Sequence, residues 1–293
     1  MKMLEVNNLC KKYKKFALKD INFSIEEGYV MGLIGKNGAG KTTLIKTIMN
    51  QILKTSGEVI VNGWDNVTYE KKVKDMIGFV LVDFPYLSGT TLLNNGLLLG
   101  SYYSEWNQEV FIEYLQRFKL NPEKNYAELS KGMKTKFQLA FALAHNPKLL
   151  VLDEPTAGLD PIFRREFIDI LCDLIRDEKK SILFSTHITS DLDKIADYIT
   201  FIDKGEIIFS DSKENIQDKY HIVKGPISSF HQISNMNYVG LKKNETYFEA
   251  LILDANTLKE DDILGLNMII PKLEDIMLFM CNDNINGGVS NNA

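Results

Sequence analysis

The eight residues GKNGAGKT (35–42) follow the apolar run YVMGLI and run into KTTLIKTIMNQI. They fit the spacing G-x-x-x-x-G-K-[ST], in which glycines let successive backbone N–H groups turn inward around an anion. A helix opening at the end of such a loop adds the positive end of its dipole. Gly35, Asn37, Gly38, Ala39, Gly40, Lys41, Thr42 and Thr43 are therefore the candidate phosphate-binding set. Lys41 is placed to reach β- and γ-phosphates, and the Thr42 hydroxyl to ligate Mg²⁺. Farther on, Asp153 and Glu154 close the apolar run LLVL. A carboxylate at the end of a buried strand is costly unless it faces a cation. Beside a phosphate loop that cation is Mg²⁺, held through water. Glu154 can aim differently and act as general base, or orient the water, for γ-phosphate hydrolysis. His187 closes the run ILFSTH. Alone it would read as a structural histidine; at the carboxyl end of a strand in the same sheet it becomes a candidate γ-phosphate contact.

A second device of the same kind appears in LSKGM (129–133). Ser130 followed by x-Gly132 at a helix start offers a hydroxyl, an N–H and a dipole end to an anion. A plain serine N-cap uses the same atoms, so the motif alone leaves open whether it holds a phosphate.

These groups need a frame. The segments MLEVNNL and ALKDINFSIEEG alternate apolar and polar residues, the period of strands joined by tight turns. Residues 29–35, 75–83 (DMIGFVLVD), 148–154 and 180–187 read as buried strands. SGEVIVNGWD reads as a strand with an Asn-Gly turn, and ITFIDKGEIIFSD as two short strands around Lys-Gly. Helical patterning fills about 84–145, clearest in EVFIEYLQRFKL, and recurs in FRREFIDILCDLIRDE and SDLDKIADY. Strand and helix alternate, so the expected fold is α/β, a phosphate-loop NTPase with a mixed or parallel central sheet, N-terminal antiparallel strands and a helical insert. Composition shifts near 215–225. The segments HIVKGPISSF, NYVGLKKN and TYFEALILDA read as short strands and PKLEDIMLFMC as a helix, giving a small α+β extension over 216–281. The polar, Gly-containing tail 282–293 is expected to be disordered.

Bulk properties narrow the function. A net charge of −5 argues against a nucleic-acid surface, and the run KKYKK (11–15) is too short to reverse that. Three dispersed cysteines, Cys10, Cys172 and Cys281, have no metal-ligand spacing and read as free thiols in a reducing compartment. The N-terminus reads as lacking a signal peptide's apolar core. No stretch approaches the roughly 18 uninterrupted apolar residues of a membrane helix. Any membrane role is expected to come through another chain.

The order of motifs, GKNGAGKT, LSKGM, LLVLDE, AGLD (157–160) and STH, resembles the nucleotide-binding subunit of ABC transporters over about residues 1–215. LSKGM looks like the family's signature turn, usually Leu-Ser-Gly-Gly-Gln, AGLD like its D-loop and His187 like its switch histidine. Tyr13 matches the aromatic residue that stacks on adenine. The resemblance implies ATP and Mg²⁺ as cofactors, and ATP sandwiched between two subunits placed head to tail. Ser130 and Gly132 would then bind the γ-phosphate held by a partner.

Two departures stand out. Lys131 and Met133 replace Gly and Gln in the signature but leave Ser130 and Gly132 intact. Where the family places a metal-contacting glutamine, this chain has Val82, followed by Asp83. Asp83 either takes over part of the metal contact or merely starts the next loop. The stretch FPYLSGTTLL is apolar and aromatic enough to line a groove for a coupling helix of a membrane chain. The extension resembles that of bacterial exporter subunits for antibiotics and peptides. The implied protein is a peripheral ATPase on the cytoplasmic face of the membrane. It would be docked to a transmembrane permease, would pair with a second ATPase subunit and would power export of a peptide or hydrophobic drug. The rivals are a soluble ABC ATPase of translation or DNA maintenance and a non-hydrolysing regulatory subunit. One cassette, no sustained heptads and the presence of Glu154 and His187 weigh against them.

Overall fold

The computed structural model describes residues 1–81, 86–176, 180–234, 236, 238–253 and 265–281. The chain divides into two compact units. The first comprises Met1–His187 and Lys194–Ser210; the second comprises Ile188–Asp193 and the described residues from Asp211 onward.

In the first unit, β1 (Lys2–Lys12) and β2 (Ala17–Glu26) pair antiparallel, and their turn is closed by Tyr13 N–H donating to Phe16 O at 2.8 Å. All five residues of β3 (Val30–Ile34) are buried between parallel partners, which accounts for the continuous apolar run. Helix α1 (Lys41–Ile48) starts directly after Gly40 and buries Leu44, Ile45 and Ile48 on one face. Next, β4 (Ser56–Val61) turns at Asn62-Gly63, both left-handed with φ of 48° and 81°, into β5 (Trp64–Asp65). These outer strands form a four-stranded antiparallel sheet in the order β2-β1-β4-β5.

The strand expected over 75–83 is shorter. Asp75 closes a helix, α2 (Glu70–Asp75), and its carboxylate accepts from Ser104 N at 2.8 Å and from the Ser104 hydroxyl. The strand β6 is then only Ile77–Val80. The insert supplies α3 (Leu92–Gly100), α4 (Gln108–Arg117) and α5 (Lys131–Leu143), capped by the side chains of Thr91, Asn107 and Ser130. Their inward faces meet in an aromatic cluster where Tyr86 packs edge-on against Phe137 (centroids 4.9 Å apart) and Phe141 (5.5 Å). The chain continues through β7 (Leu149–Asp153), α6 (Pro161–Ile175), β8 (Ser181–Thr186), α7 (Thr189–Ile195), β9 (Tyr198–Asp203) and β10 (Glu206–Ser212). The main sheet has the order β10-β9-β3-β8-β7-β6, with β9, β3, β8, β7 and β6 parallel.

The second unit follows with α8 (Lys213–Lys219), which the sequence pattern did not anticipate, and β11 (Tyr220–Pro226), β12 (Tyr238–Lys243), β13 (Tyr247–Leu253), β14 (Asn267–Ile269) and α9 (Leu273–Cys281). Its sheet order is β12-β13-β11-β14, with antiparallel pairs. It has its own apolar core of Val223, Ile233, Phe248, Ala250 and Ile252. The tail 282–293, expected to be disordered, lies outside the described residues.

One buried group in the first unit makes stability depend on pH. His145 stacks on Tyr103 with ring centroids 4.0 Å apart, and its two nitrogens lie 3.2 Å from Ile77 O and 3.3 Å from Phe141 O. Burial lowers its pKa, outweighing those two carbonyls and the nearby Asp75, with Lys180 adding to the depression. The unfolded chain therefore binds the proton more readily than the fold does. The neutral form's advantage is complete above the ordinary histidine value of about 6.5 and is lost as pH falls through the folded pKa. Denaturant titrations from pH 7.5 to 5.5 are expected to show a steeper acid-side loss for the wild type than for His145→Gln. Equal slopes would remove His145 as the cause.

Candidate functional site

The site is assembled where β3, β8 and β7 end side by side. The phosphate loop leaves β3 at Gly35, where a Cβ would lie 2.4 Å from Ile202 O, so only glycine fits. Gly40 has φ 116° and touches Phe16, whose Cζ would lie 2.8 Å from a Cβ there. The Lys204-Gly205 turn braces the loop from outside, with Gly205 N–H donating to Ala39 O at 2.9 Å. The resulting cavity, about 260 Å³, is lined by Phe16, Lys36, Asn37, Gly38, Gly40, Lys41, Thr42, Thr43 and Glu154.

Lys41 is 5% exposed. Its ammonium donates to Gly35 O at 2.7 Å and lies 3.3 Å from Glu154 Oε1. Thr42 donates its hydroxyl to Asp153 Oδ2 at 2.8 Å, and Ser185 donates to Oδ1 at 3.0 Å. Burial pushes the Asp153 carboxyl up, against the pull of those two hydroxyls. A buried carboxylate made costly in this way, beside a hydroxyl at a phosphate loop, is an oxygen donor set that suits Mg²⁺. Among the described residues no cluster of three or more His, Cys, Asp or Glu side chains forms a metal cage of its own.

Glu154 is held from two sides. His187 Nδ1 is 2.6 Å from Glu154 Oε2, and the His187 N–H donates to the same oxygen at 3.3 Å. Oε1 is buried with no hydrogen-bond donor; the Lys41 ammonium near it is an ion-pair neighbour without hydrogen-bond geometry. The backbone of Glu154 is left-handed, with φ 50°, an uncommon conformation for a residue with a side chain. It is secured by Glu154 N–H donating to Ser185 O at 2.9 Å.

Ser130 caps α5, its Oγ accepting from Met133 N at 3.3 Å. Gly132 faces the AGLD turn: a Cβ there would lie 3.6 Å from Leu159 Cδ2. Asp160 ends that turn by capping α6 through Ile162 N and Phe163 N. Tyr13 sits on the β1–β2 turn, 47% exposed, with Lys11 Nζ 5.1 Å from its ring centre. Three residues later Phe16, which sequence reasoning passed over, is the aromatic residue that lines the loop cavity. Val82 and Asp83 lie outside the described residues. The groove expectation for FPYLSGTTLL changes in part, because Tyr86 is 5% exposed and belongs to the aromatic cluster. An open groove of about 650 Å³ lies instead between α2 and the end of α3, with Lys71, Lys74, Phe79, Leu99, Tyr102 and Tyr103 among its lining.

Comparison with known proteins decides the family. A family profile described as "ABC transporter" matches residues 18–157. The lantibiotic transport ATP-binding protein SrtF of Streptococcus pyogenes is 32% identical over 225 residues, covering 75% of this chain and 96% of SrtF. The chain belongs to the ABC transporter ATP-binding proteins. An uncharacterized ABC transporter ATP-binding protein of Bacillus subtilis, YdbJ, is 34% identical over 211 residues, 70% of this chain and 68% of YdbJ. The fold matches the dimeric post-hydrolysis structure of the ATP-binding cassette MJ0796 bound to ADP and Pi, with TM-score 0.65, 25% identity and coverage of 72% and 98%. This ABC ATPase binds ATP and hydrolyses it to ADP and phosphate as a transporter subunit. ABC ATPases work as dimers and together with transmembrane subunits. No helix among the described residues of this one is long and apolar enough to cross a membrane.

Proposed function

We propose that this ABC ATPase powers export of a peptide or hydrophobic drug through a separate permease at the cytoplasmic face of the membrane. One observation carries the catalytic part: Glu154 stands at the mouth of the glycine cradle between Lys41 and His187. In this reading the cradle and Lys41 hold the β- and γ-phosphates, and Tyr13 offers its exposed ring to adenine. Thr42 and Asp153 hold Mg²⁺, which neutralises phosphate charge when bound. Glu154 takes a proton from the attacking water at Oε1, and His187 fixes the carboxylate through Oε2. Asp83 is the neighbouring candidate for part of the metal contact. Ser130 and the N–H of Gly132, at the head of α5, face the γ-phosphate on the phosphate loop of a second ATPase subunit. ATP thus closes the pair, and hydrolysis followed by product release opens it. The groove between α2 and the end of α3, lined by Leu99, Tyr103 and the exposed Tyr102, fits a helix of the permease. The export assignment is supported by the similarity to SrtF, whose name specifies lantibiotic transport.

Light scattering of Glu154→Gln with and without ATP tests the arrangement, with Ser130→Arg added in the same background. ATP is expected to drive a dimer that the Ser130 change abolishes while nucleotide still binds. A dimer indifferent to Ser130→Arg would overturn the head-to-tail reading.

A further inference from the structure

Helix α5 and the turn after it carry two buried polar side chains, Gln138 and His145, that reach the backbone at the two ends of β6. Gln138 Oε1 accepts from Leu81 N at 2.8 Å, and a His145 ring nitrogen lies 3.2 Å from Ile77 O. The two contacts lie four strand residues apart, about 13 Å, so the helix and its C-terminal turn are fastened to the strand at both ends of β6. The Gln138 bond does something the sheet does not. Pairing of β6 with β7 ends at Val80↔Leu152, so the N–H of Leu81 lies just past the ladder. Gln138 is 3% exposed and Leu81 4%, so without that amide oxygen a buried donor would be orphaned.

The same helix opens at Ser130, its N-cap. Tyr126, 6% exposed, packs on Phe137, the residue before Gln138, with centroids 5.3 Å apart and lies four residues before Ser130. On the other side, β6 is the immediate neighbour of β7, which ends in Asp153.

We propose that Gln138 is a positioning residue for ATP-driven dimerisation, joining the strand beside the Asp153–Glu154 edge to the helix that opens at Ser130. It fixes where Ser130 stands relative to the chain's own phosphate loop. Two head-to-tail sites close together only if that offset is right. The proposal rests on the reading that Ser130 faces a partner's nucleotide.

Gln138→Leu and Gln138→Met keep the volume and remove the amide oxygen that accepts from Leu81 N. Both are made in full-length Glu154→Gln and compared with the parent and with Ser130→Arg. Affinity for a fluorescent ATP analogue is expected to stay within about twofold, because no cradle atom changes. The ATP concentration giving half-maximal dimer is expected to rise about tenfold for Gln138→Leu, the effect of one buried hydrogen bond. Gln138→Met should shift it the same way, since the lost acceptor and not the shape of the side chain sets the effect. In the Glu154 background kcat should fall with KM unchanged. A lowered melting temperature with dimerisation and kcat unaltered would overturn the proposal, leaving Gln138 as a core amide. If Gln138→Leu does not fold, Gln138→Met decides alone, and an unshifted dimer curve overturns the proposal. If Ser130→Arg abolishes the dimer while neither variant moves it, only the positioning role fails. If Ser130→Arg has no effect, the underlying reading fails and the proposal with it.

Discussion

Glu154→Gln is expected to lower ATP turnover by about 10²- to 10⁴-fold, the range for losing a positioned general base. The geometry separates this loss from a loss of binding. Oε2 is committed to His187 at 2.6 Å, while Oε1 is buried with no donor of its own. That oxygen is the one left to accept a proton from water. Glutamine keeps the shape of the side chain and removes both its charge and its basicity. Phosphate release at saturating ATP measures the loss, and titration with a fluorescent nucleotide should show binding retained. Turnover within tenfold of the wild type would assign the base elsewhere.

Lys41→Ala is expected to weaken ATP binding by about 10²-fold, in line with losing the buried cation that would pair with the phosphates. The ammonium is enclosed, bonded to Gly35 O and set 3.3 Å from Glu154, inside a cavity of about 260 Å³. Its removal takes the positive charge out of the cradle and leaves Glu154 facing incoming phosphate without a counter-charge. Lys41→Arg should not restore binding, because a planar guanidinium does not replace a compact ammonium in so small a space. Calorimetric titration with ATP is the measurement; retained affinity in Lys41→Ala would show that backbone N–H groups carry binding alone.

Much of this site was legible because its chemistry is local. Gly35 to Thr42 specify their loop through glycine geometry and an immediate helix start, and no distant residue is needed to recognise it. Asp153, Glu154 and His187 were legible as polar endings to apolar strands. What joins them was not. Ser185 reaches Asp153 only because β7 and β8 are neighbours with Asp153 opposite Ser185, and strand order is not written in any one segment. Phe16 looked like an ordinary residue entering a strand; its place against Gly40 depends on how the outer sheet lies on the loop. Tyr86 was misplaced for the opposite reason. An aromatic residue in an apolar loop stretch suggests an exposed patch, but Phe137 and Phe141 of α5 and the ring of Tyr126 close over it. The strand at 75–83 was overextended because Asp75 pairs with Ser104, 29 residues away, and so ends a helix instead. The border near 215 came from a shift in composition. Composition had no means of grouping residues 188–193 with the second unit.

The left-handed backbone of Glu154 bears on how such a chain evolves under pressure for robustness. A residue with a Cβ at φ 50° carries about 1–2 kcal/mol of strain that glycine would relieve. Glu154→Gly would return that strain and at the same time leave the buried Lys41 ammonium without its counter-charge, a cost of the same size or larger. Selection for heat tolerance alone therefore has no reason to discard the side chain that ATP turnover needs.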